Sequence, residues 1–250
     1  MWRRHALEKE WGKQPEFRWR GGEVSRIEGF TDAVFAFAIT LLVVSLEVPK
    51  SFSELMETMK GFAAFAATFT ALIGIWYAHY LFFRRYGMRD GFTFALNALL
   101  LFVVLFYIYP LKFLFTILIS YGLLHRVLGF ELRVDLTIAG EQWSHLMIIY
   151  GVGFLAVFLV FALLHVHAYR RRQALALNSI ETLTTRSSIW SYGICVAIAI
   201  VSIAIVTLGG TQHSALAGWI YALVGPLQAV NGVIFGRRLQ KLQRELPSLS

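Results

Sequence analysis

The chain has 250 residues, of which 57% are hydrophobic and 15% are charged, and its mean hydropathy is +0.61. This composition is too apolar for a water-soluble domain of that size and predicts an integral membrane protein. The net charge of +8 does not indicate nucleic-acid binding, because the basic residues lie between apolar segments rather than along one element. A single cysteine, Cys195, excludes an intramolecular disulfide and a cysteine metal cluster.

Residues 1–25 are charged and contain no apolar stretch of signal-peptide length, so we expect them to form a polar N-terminal tail. After this tail, apolar runs of bilayer length predict six spans, near residues 28–48, 61–83, 92–118, 145–168, 189–209 and 215–235. The predicted fold is an all-α membrane protein with one six-helix domain over residues 26–236 and a C-terminal tail over 237–250.

The basic residues indicate how these spans are oriented. Seven lie in the first 26 residues, three between the second and third spans, four between the fourth and fifth, and four after the sixth. In a six-span topology all these segments lie on one side of the membrane, and few basic residues lie on the other. The positive-inside rule then places both termini in the cytoplasm, and we expect a plasma-membrane location.

The first span contains an aspartate, Asp32, among apolar residues. An ionisable group at membrane depth is costly unless it has a partner or water. Trp76 and His79 are three residues apart on the second span, so they share a helix face and can both donate to one acceptor. We therefore predict that Asp32 is buried and accepts hydrogen bonds from both, and a direct ion site at Asp32 is the alternative.

Two further polar residues join this predicted structural network. Asn97 in the third span is expected to hydrogen bond between helices. Arg26 lies about 9 Å from Asp32 along the helix axis and on another face, so its partner is expected on another helix or subunit.

The apolar residues of the first span form two faces. At about 100° per residue, one stripe lies within about 40° of a single line and contains Phe30, Ala33, Phe37, Leu41, Val44 and Val48. The opposite face is just as apolar, with Phe35, Ile39, Leu42, Val43 and Leu46. Periodicity alone therefore does not orient this helix.

Three separated features together carry a resemblance to a known family. The first span reads R-x-x-x-F-T-D from Arg26 to Asp32, followed by A-I-T-L-L from Ala38 to Leu42. The second span contains W-x-x-H, and the third contains Asn97 and, further on, Pro110. The combined pattern resembles the transmembrane protein 175 family of potassium channels, whose first-helix pattern is R-x-x-x-F-S-D.

The resemblance implies a potassium-selective channel that is a homotetramer, with a central pore lined by the first helix of each subunit. Carried over by the motif, the pore-lining and gate positions are Phe37, Leu41 and Val44, with Thr40 as a polar layer that assists selectivity. The hydroxyl of Thr40, about 60° from the stripe centre, could meet an ion or bond back to the Ala36 carbonyl. A phenylalanine at position 37 departs from the smaller aliphatic residue usual in the family, and it could tighten the pore or move the constriction to Leu41.

The implied partners are potassium ions, the lipid bilayer and three further copies of the chain, with no cofactor and no metal beyond potassium in transit. The potassium-channel filter sequence T-V-G-Y-G is absent, so selection must work by other means. An ion- or proton-coupled transporter with a midplane site within one subunit is the main alternative, and an accessory membrane protein is a third. We find no nucleophile paired with a base and no metal cluster, so an enzyme is not expected.

Overall fold

The computed structural model describes residues 17–44, 48–121 and 140–245. Within these ranges the helices are α1 Arg26–Val44, α2 Phe52–Lys60, α3 Phe62–Tyr86, α4 Gly91–Tyr121, α5 Gly140–Arg170, α6 Ser179–Gly209, α7 Ser214–Trp219 and α8 Val224–Glu245. Six segments of the described chain are long and apolar enough to cross a membrane, namely α1, α3, α4, α5, α6 and the run Thr211–Glu245. The predicted all-α fold with six spans is confirmed.

Several helices extend beyond the apolar runs that predicted them. α6 begins at Ser179 rather than near residue 189, because Asn178 and Glu181 form a capping box at its start. The Glu181 amide donates to Asn178 Oδ1 at 2.8 Å, and the Asn178 amide donates to Glu181 Oε2 at 2.9 Å. α8 continues to Glu245, so residue 237 lies inside a helix. A hydropathy window detects the part of a helix that lies in lipid and misses its polar ends.

A second capping box starts α1. The amide of Ser25 donates to Glu28 Oε2 at 2.8 Å, and the amide of Glu28 donates to Ser25 Oγ at 3.3 Å. These bonds satisfy amide groups at the helix start that have no partner within the helix. They place the first turn of α1 immediately before the apolar stretch.

The core lies where α1 packs on α3 and α4, and where α4 packs on α5 and α5 on α6. Its buried side chains include Phe35, Leu72, Leu100, Phe161 and Leu164. At Gly153 of α5, an added Cβ atom would overlap the ring of Tyr107 from α4. A glycine at this position therefore lets the two helices approach closely. α8 packs on α6 at the side of the bundle.

The segment before α1 is packed against the bundle from Phe17 onward. The Phe17 side chain is buried and meets the ring of Tyr86 edge to face at 5.6 Å. Arg20 donates to Glu181 Oε2 at 2.6 Å and to Glu181 Oε1 at 3.0 Å, and it also donates to the Leu175 carbonyl at 2.8 Å. Because this segment has only three large apolar residues, Phe17, Trp19 and Val24, hydropathy alone suggested only a tail.

A further contact lies at the same end of the bundle. We call this end the basic end, because the arginine-rich connections before α4 and α6 lie there. His167 Nε2 of α5 lies 3.1 Å from Asp90 Oδ1 in the connection before α4. Partial burial raises the pKa of Asp90, but the hydrogen bonds from the Thr93 amide, His167 and the Thr93 hydroxyl outweigh it, so the net pKa is lowered. Asp90 is therefore ionised at neutral pH and accepts these bonds.

Arg20→Met is expected to destabilise the fold strongly. The Glu181 side chain is 1% exposed, so loss of the guanidinium leaves a buried carboxylate without its counterion, at a cost of about 3–5 kcal/mol. The apparent unfolding temperature in detergent measures this change. Arg171→Met, at an exposed arginine, is the matched control and should unfold like wild type. Equal unfolding temperatures for the two variants would contradict a structural role for the Arg20–Glu181 pair.

Candidate functional site

α1 has one buried face and one uncovered face within the subunit. The buried positions recur every three or four residues and are Glu28, Thr31, Phe35, Ala38 and Leu42. This spacing is that of one helix stripe, which packs on α3 and α4. Part of the apolar face opposite the predicted pore stripe, Phe35 and Leu42, therefore belongs to the subunit core.

The uncovered face contains most of the predicted pore stripe. Phe30 is 64% exposed, Phe37 is 56% exposed and Val44 is 71% exposed. Leu41, expected in the same stripe, is half-buried. Leu41 is less exposed because of its angular position on the helix. The line opposite the centre of the buried face passes about 40° from Phe37 and about 80° from Leu41.

Thr40 lies closer to the middle of the uncovered face than the sequence geometry indicated. Its side chain is exposed, and it lies about 20° from the line opposite the buried face. The Thr40 hydroxyl donates to the Ala36 carbonyl at 2.9 Å. Its hydrogen is therefore used within the helix, while the oxygen keeps acceptor capacity toward the uncovered side.

Asp32 accepts one of the two hydrogen bonds that the sequence suggested. Trp76 Nε1 donates to Asp32 Oδ1 at 2.8 Å. The expectation that Asp32 is buried was wrong within the subunit, where the residue is exposed. Asp32 lies about 80° from the centre of the buried face, so it sits at the flank of α1, where the long indole of Trp76 reaches it.

The prediction of a hydrogen bond from His79 to Asp32 was also wrong. His79 Nε2 lies 2.8 Å from Asn97 Oδ1, and Asn97 Nδ2 donates to Thr31 Oγ1 at 2.9 Å. All three side chains are buried, so this chain of bonds joins α1, α3 and α4 in the core. We call it the Thr31–Asn97–His79 triad.

The triad contains Thr31, a residue for which the sequence predicted no role. Thr31 lies in the R-x-x-x-F-T-D motif, in which Arg26, Phe30 and Asp32 were assigned roles but Thr31 was not. Thr31 is four residues before Phe35 and seven before Ala38, which is the spacing of a shared helix face. Knowing which face is buried would have pointed to Thr31 as the partner of Asn97.

Arg26 is exposed in the first turn of α1. In the part of the subunit that the structure describes, its guanidinium forms no hydrogen bond or ion pair. The expectation was a partner on another helix or subunit, and the partner on another subunit stays a prediction.

Comparisons with known proteins address the family directly. A model of the family described as "Endosomal/lysosomal potassium channel TMEM175" matches residues 26–107. A potassium channel of Marivirga tractuosa is 40% identical over 97% of this chain and 98% of its own length. The chain belongs to the TMEM175 family of potassium channels. The family model covers the three residues of the triad, and the Marivirga tractuosa relative extends the match to nearly the whole chain.

Other relatives agree with this family. A potassium channel of Chamaesiphon minutus is 32% identical over 62% of this chain and 70% of its own length. The crystal structure of a variant of the potassium channel MtTMEM175, in complex with a nanobody fusion, has a TM-score of 0.79 and 38% identity, and the match covers 90% of this chain and 99% of that one. A TMEM175 homologue structure from Chamaesiphon minutus, at 23% identity, has a TM-score of 0.52 and supports the fold alone.

The family settles the broad class of the protein. TMEM175 proteins are potassium channels, so the expectation that this chain is not an enzyme is confirmed. Six apolar helices fit a multi-pass membrane protein of this family.

Asn97→Leu is expected to destabilise the subunit. The substitution keeps the side-chain size but leaves the Thr31 hydroxyl and the His79 ring without their bonds to Asn97, at about 1–3 kcal/mol for each buried group. The apparent unfolding temperature in detergent is the measurement.

Thr31→Ser is the matched control because it keeps the hydroxyl that Asn97 binds. Its unfolding temperature should fall much less than that of Asn97→Leu. If Asn97→Leu unfolds like wild type, the triad does not hold α1 in place.

Proposed function

We propose that this chain forms a potassium-conducting channel as a homotetramer, with α1 of each subunit lining a central pore. The observation that carries the proposal is the uncovered face of α1, which bears Phe37, Thr40 and Val44 opposite a face packed into the core. In a single subunit this face would meet lipid, whereas four copies around one axis would enclose a pore. Relatives that match nearly the whole chain are named potassium channels, which supports the arrangement of four copies around a pore.

Phe37 forms the narrowest apolar ring in the proposed pore. It lies nearer the middle of the uncovered face than Leu41, and its exposed ring extends further than the side chain of Val44. A hydrophobic constriction gates by dewetting, and an ion that crosses it must lose part of its hydration shell. Potassium holds its water less tightly than sodium or divalent cations, so a narrow neutral ring favours potassium.

Thr40 supplies the polar layer one turn beyond Phe37, about 4.5 Å along the helix. Four hydroxyl oxygens at this level would replace part of the lost hydration, since each hydroxyl hydrogen is directed to the Ala36 carbonyl. Leu41 and Val44 complete the apolar lining. Asp32 bonds to Trp76 at the flank of α1, so we infer a structural role for it rather than an ion-binding ring.

We also propose a domain organisation, an orientation and a location for the protein in the cell. Residues 26–236 are the channel domain, with both termini in the cytoplasm and the protein in the plasma membrane. The basic residues at one end of the bundle support this orientation. Potassium is the permeant ion, and we infer no resident cofactor.

Phe37→Ala is expected to raise the unitary current severalfold, because removing four rings widens the constriction and lowers the dewetting barrier. The measurement is the current and reversal potential of purified protein in a planar bilayer with potassium and sodium on opposite sides. Phe106→Ala, at a phenylalanine of α4 that is 73% exposed, is the control and should conduct like wild type. An absence of current in the wild-type protein and in both variants would favour an ion- or proton-coupled transporter.

Thr40→Ala is expected to reduce the preference for potassium over sodium by about fivefold, the factor that about 1 kcal/mol of lost oxygen contact gives. The reversal potential should therefore move toward zero. Thr40→Ser keeps the hydroxyl and should retain most of the preference. Equal selectivity in the alanine and serine variants would remove Thr40 from the mechanism.

A further inference from the structure

A groove of about 500 Å³ lies between the start of α6 and the end of α8, at the basic end of the bundle. It is separate from α1. Its cationic lining residues are Arg186 of α6 with Arg238 and Lys241 of α8, and the hydroxyl residues Ser179 and Thr182 line the same space. The groove therefore joins three cations and two hydrogen-bonding groups from two helices.

The groove has a net positive charge. Among the described residues that line it, the one carboxylate is Glu245, which lies 3.9 Å from Lys241 on the same helix, and both side chains are largely exposed. Arg186 and Arg238 are also exposed. Three cations against one carboxylate favour an anionic ligand.

The two helices that form the groove are held together deeper in the membrane. Asn231 Nδ2 of α8 donates to Ser191 Oγ of α6 at 2.8 Å, and Gln228 Nε2 donates to the Ser191 carbonyl at 2.7 Å. These bonds fix the spacing of α6 and α8 below the groove. The groove is therefore a fixed feature of the fold rather than a chance separation of two helix ends.

The level of the groove matches the lipid headgroups. Trp190 is 60% exposed and follows Arg186 by four residues, about 6 Å along α6. Tryptophan is enriched at the membrane–water interface. The groove therefore lies at or just outside the boundary of the hydrocarbon.

One stripe of α8 residues is basic near the C-terminal end of the helix and apolar nearer the middle of the membrane. Arg238 and Lys241 share this stripe with exposed apolar residues nearer the middle of the membrane, which are Leu227, Val230 and Ile234. A ligand with an anionic head and an apolar chain matches both parts of the stripe. Free phosphate matches only the basic part.

We propose that this groove binds the phosphate of an anionic glycerophospholipid of the phosphatidylglycerol class. Arg186, Arg238 and Lys241 contact the phosphate, and Ser179 and Thr182 donate hydrogen bonds to it. The acyl chains lie along the apolar stripe of α8. Basic pockets between membrane helices bind anionic headgroups by this combination of charge and apolar contact.

The test is lipid binding to the purified full-length protein, measured by native mass spectrometry with phosphatidylglycerol or with phosphatidylcholine of the same acyl chains. Phosphatidylglycerol is expected to bind more tightly. Arg238→Gln should weaken its binding about fivefold, and Arg186→Gln combined with Arg238→Gln about 25-fold, since each cation near an anionic lipid contributes about that factor. Arg237→Gln is the matched control, because Arg237 is exposed beside Arg238 and does not line the groove.

Three results would overturn the proposal. The first is equal binding of phosphatidylglycerol by the Arg238→Gln and Arg237→Gln variants. The second is full displacement of the lipid by millimolar inorganic phosphate, which would indicate a free-anion site. The third is a change in subunit number in the double variant with unchanged lipid affinity, which would make the groove a contact between copies of the chain. None of these readouts depends on conduction through α1.

Discussion

The buried amide of Asn97 is the contact on which the orientation of α1 depends. Its Oδ1 accepts from His79 Nε2 of α3 at 2.8 Å, and its Nδ2 donates to Thr31 Oγ1 of α1 at 2.9 Å. A buried polar side chain without its partners costs free energy, so rotating α1 away from this position is unfavourable. The rotation that these bonds fix determines which residues of α1 remain uncovered.

A second set of contacts fixes where α1 begins. The Ser25–Glu28 capping box starts the helix, and the preceding segment is held to α6 by the Arg20–Glu181 ion pair. The amides of Arg20 and Gly21 also donate to the Arg84 carbonyl at the end of α3. The axial position of α1 is therefore set at its polar end, and its rotation is set in the apolar part. Together they leave the helix little freedom to slide or turn.

The sequence predicted the six spans well because hydrophobic length is a strong signal in lipid. It did not predict the start of α6 or the end of α8, since polar turns outside the hydrocarbon carry no hydropathy signal. It suggested the Trp76–Asp32 bond from residue type and spacing, and it assigned His79 to the wrong acceptor. That error arose because the buried face of α1 is centred about 40° away from the line opposite the predicted pore stripe, which turns Thr31 rather than Asp32 toward the core.

The need for a fixed rotation follows from the order of residues on the uncovered face. Thr40 and Leu41 are neighbours in the chain but differ by about 100° around the helix. A turn of that size would replace a hydroxyl with an aliphatic side chain at the same level of the proposed pore. Thr31 is six residues before Phe37 and about 9 Å from it along the axis. A buried hydrogen bond this near to the proposed constriction limits rotation of the part of α1 where selection between ions is proposed to occur.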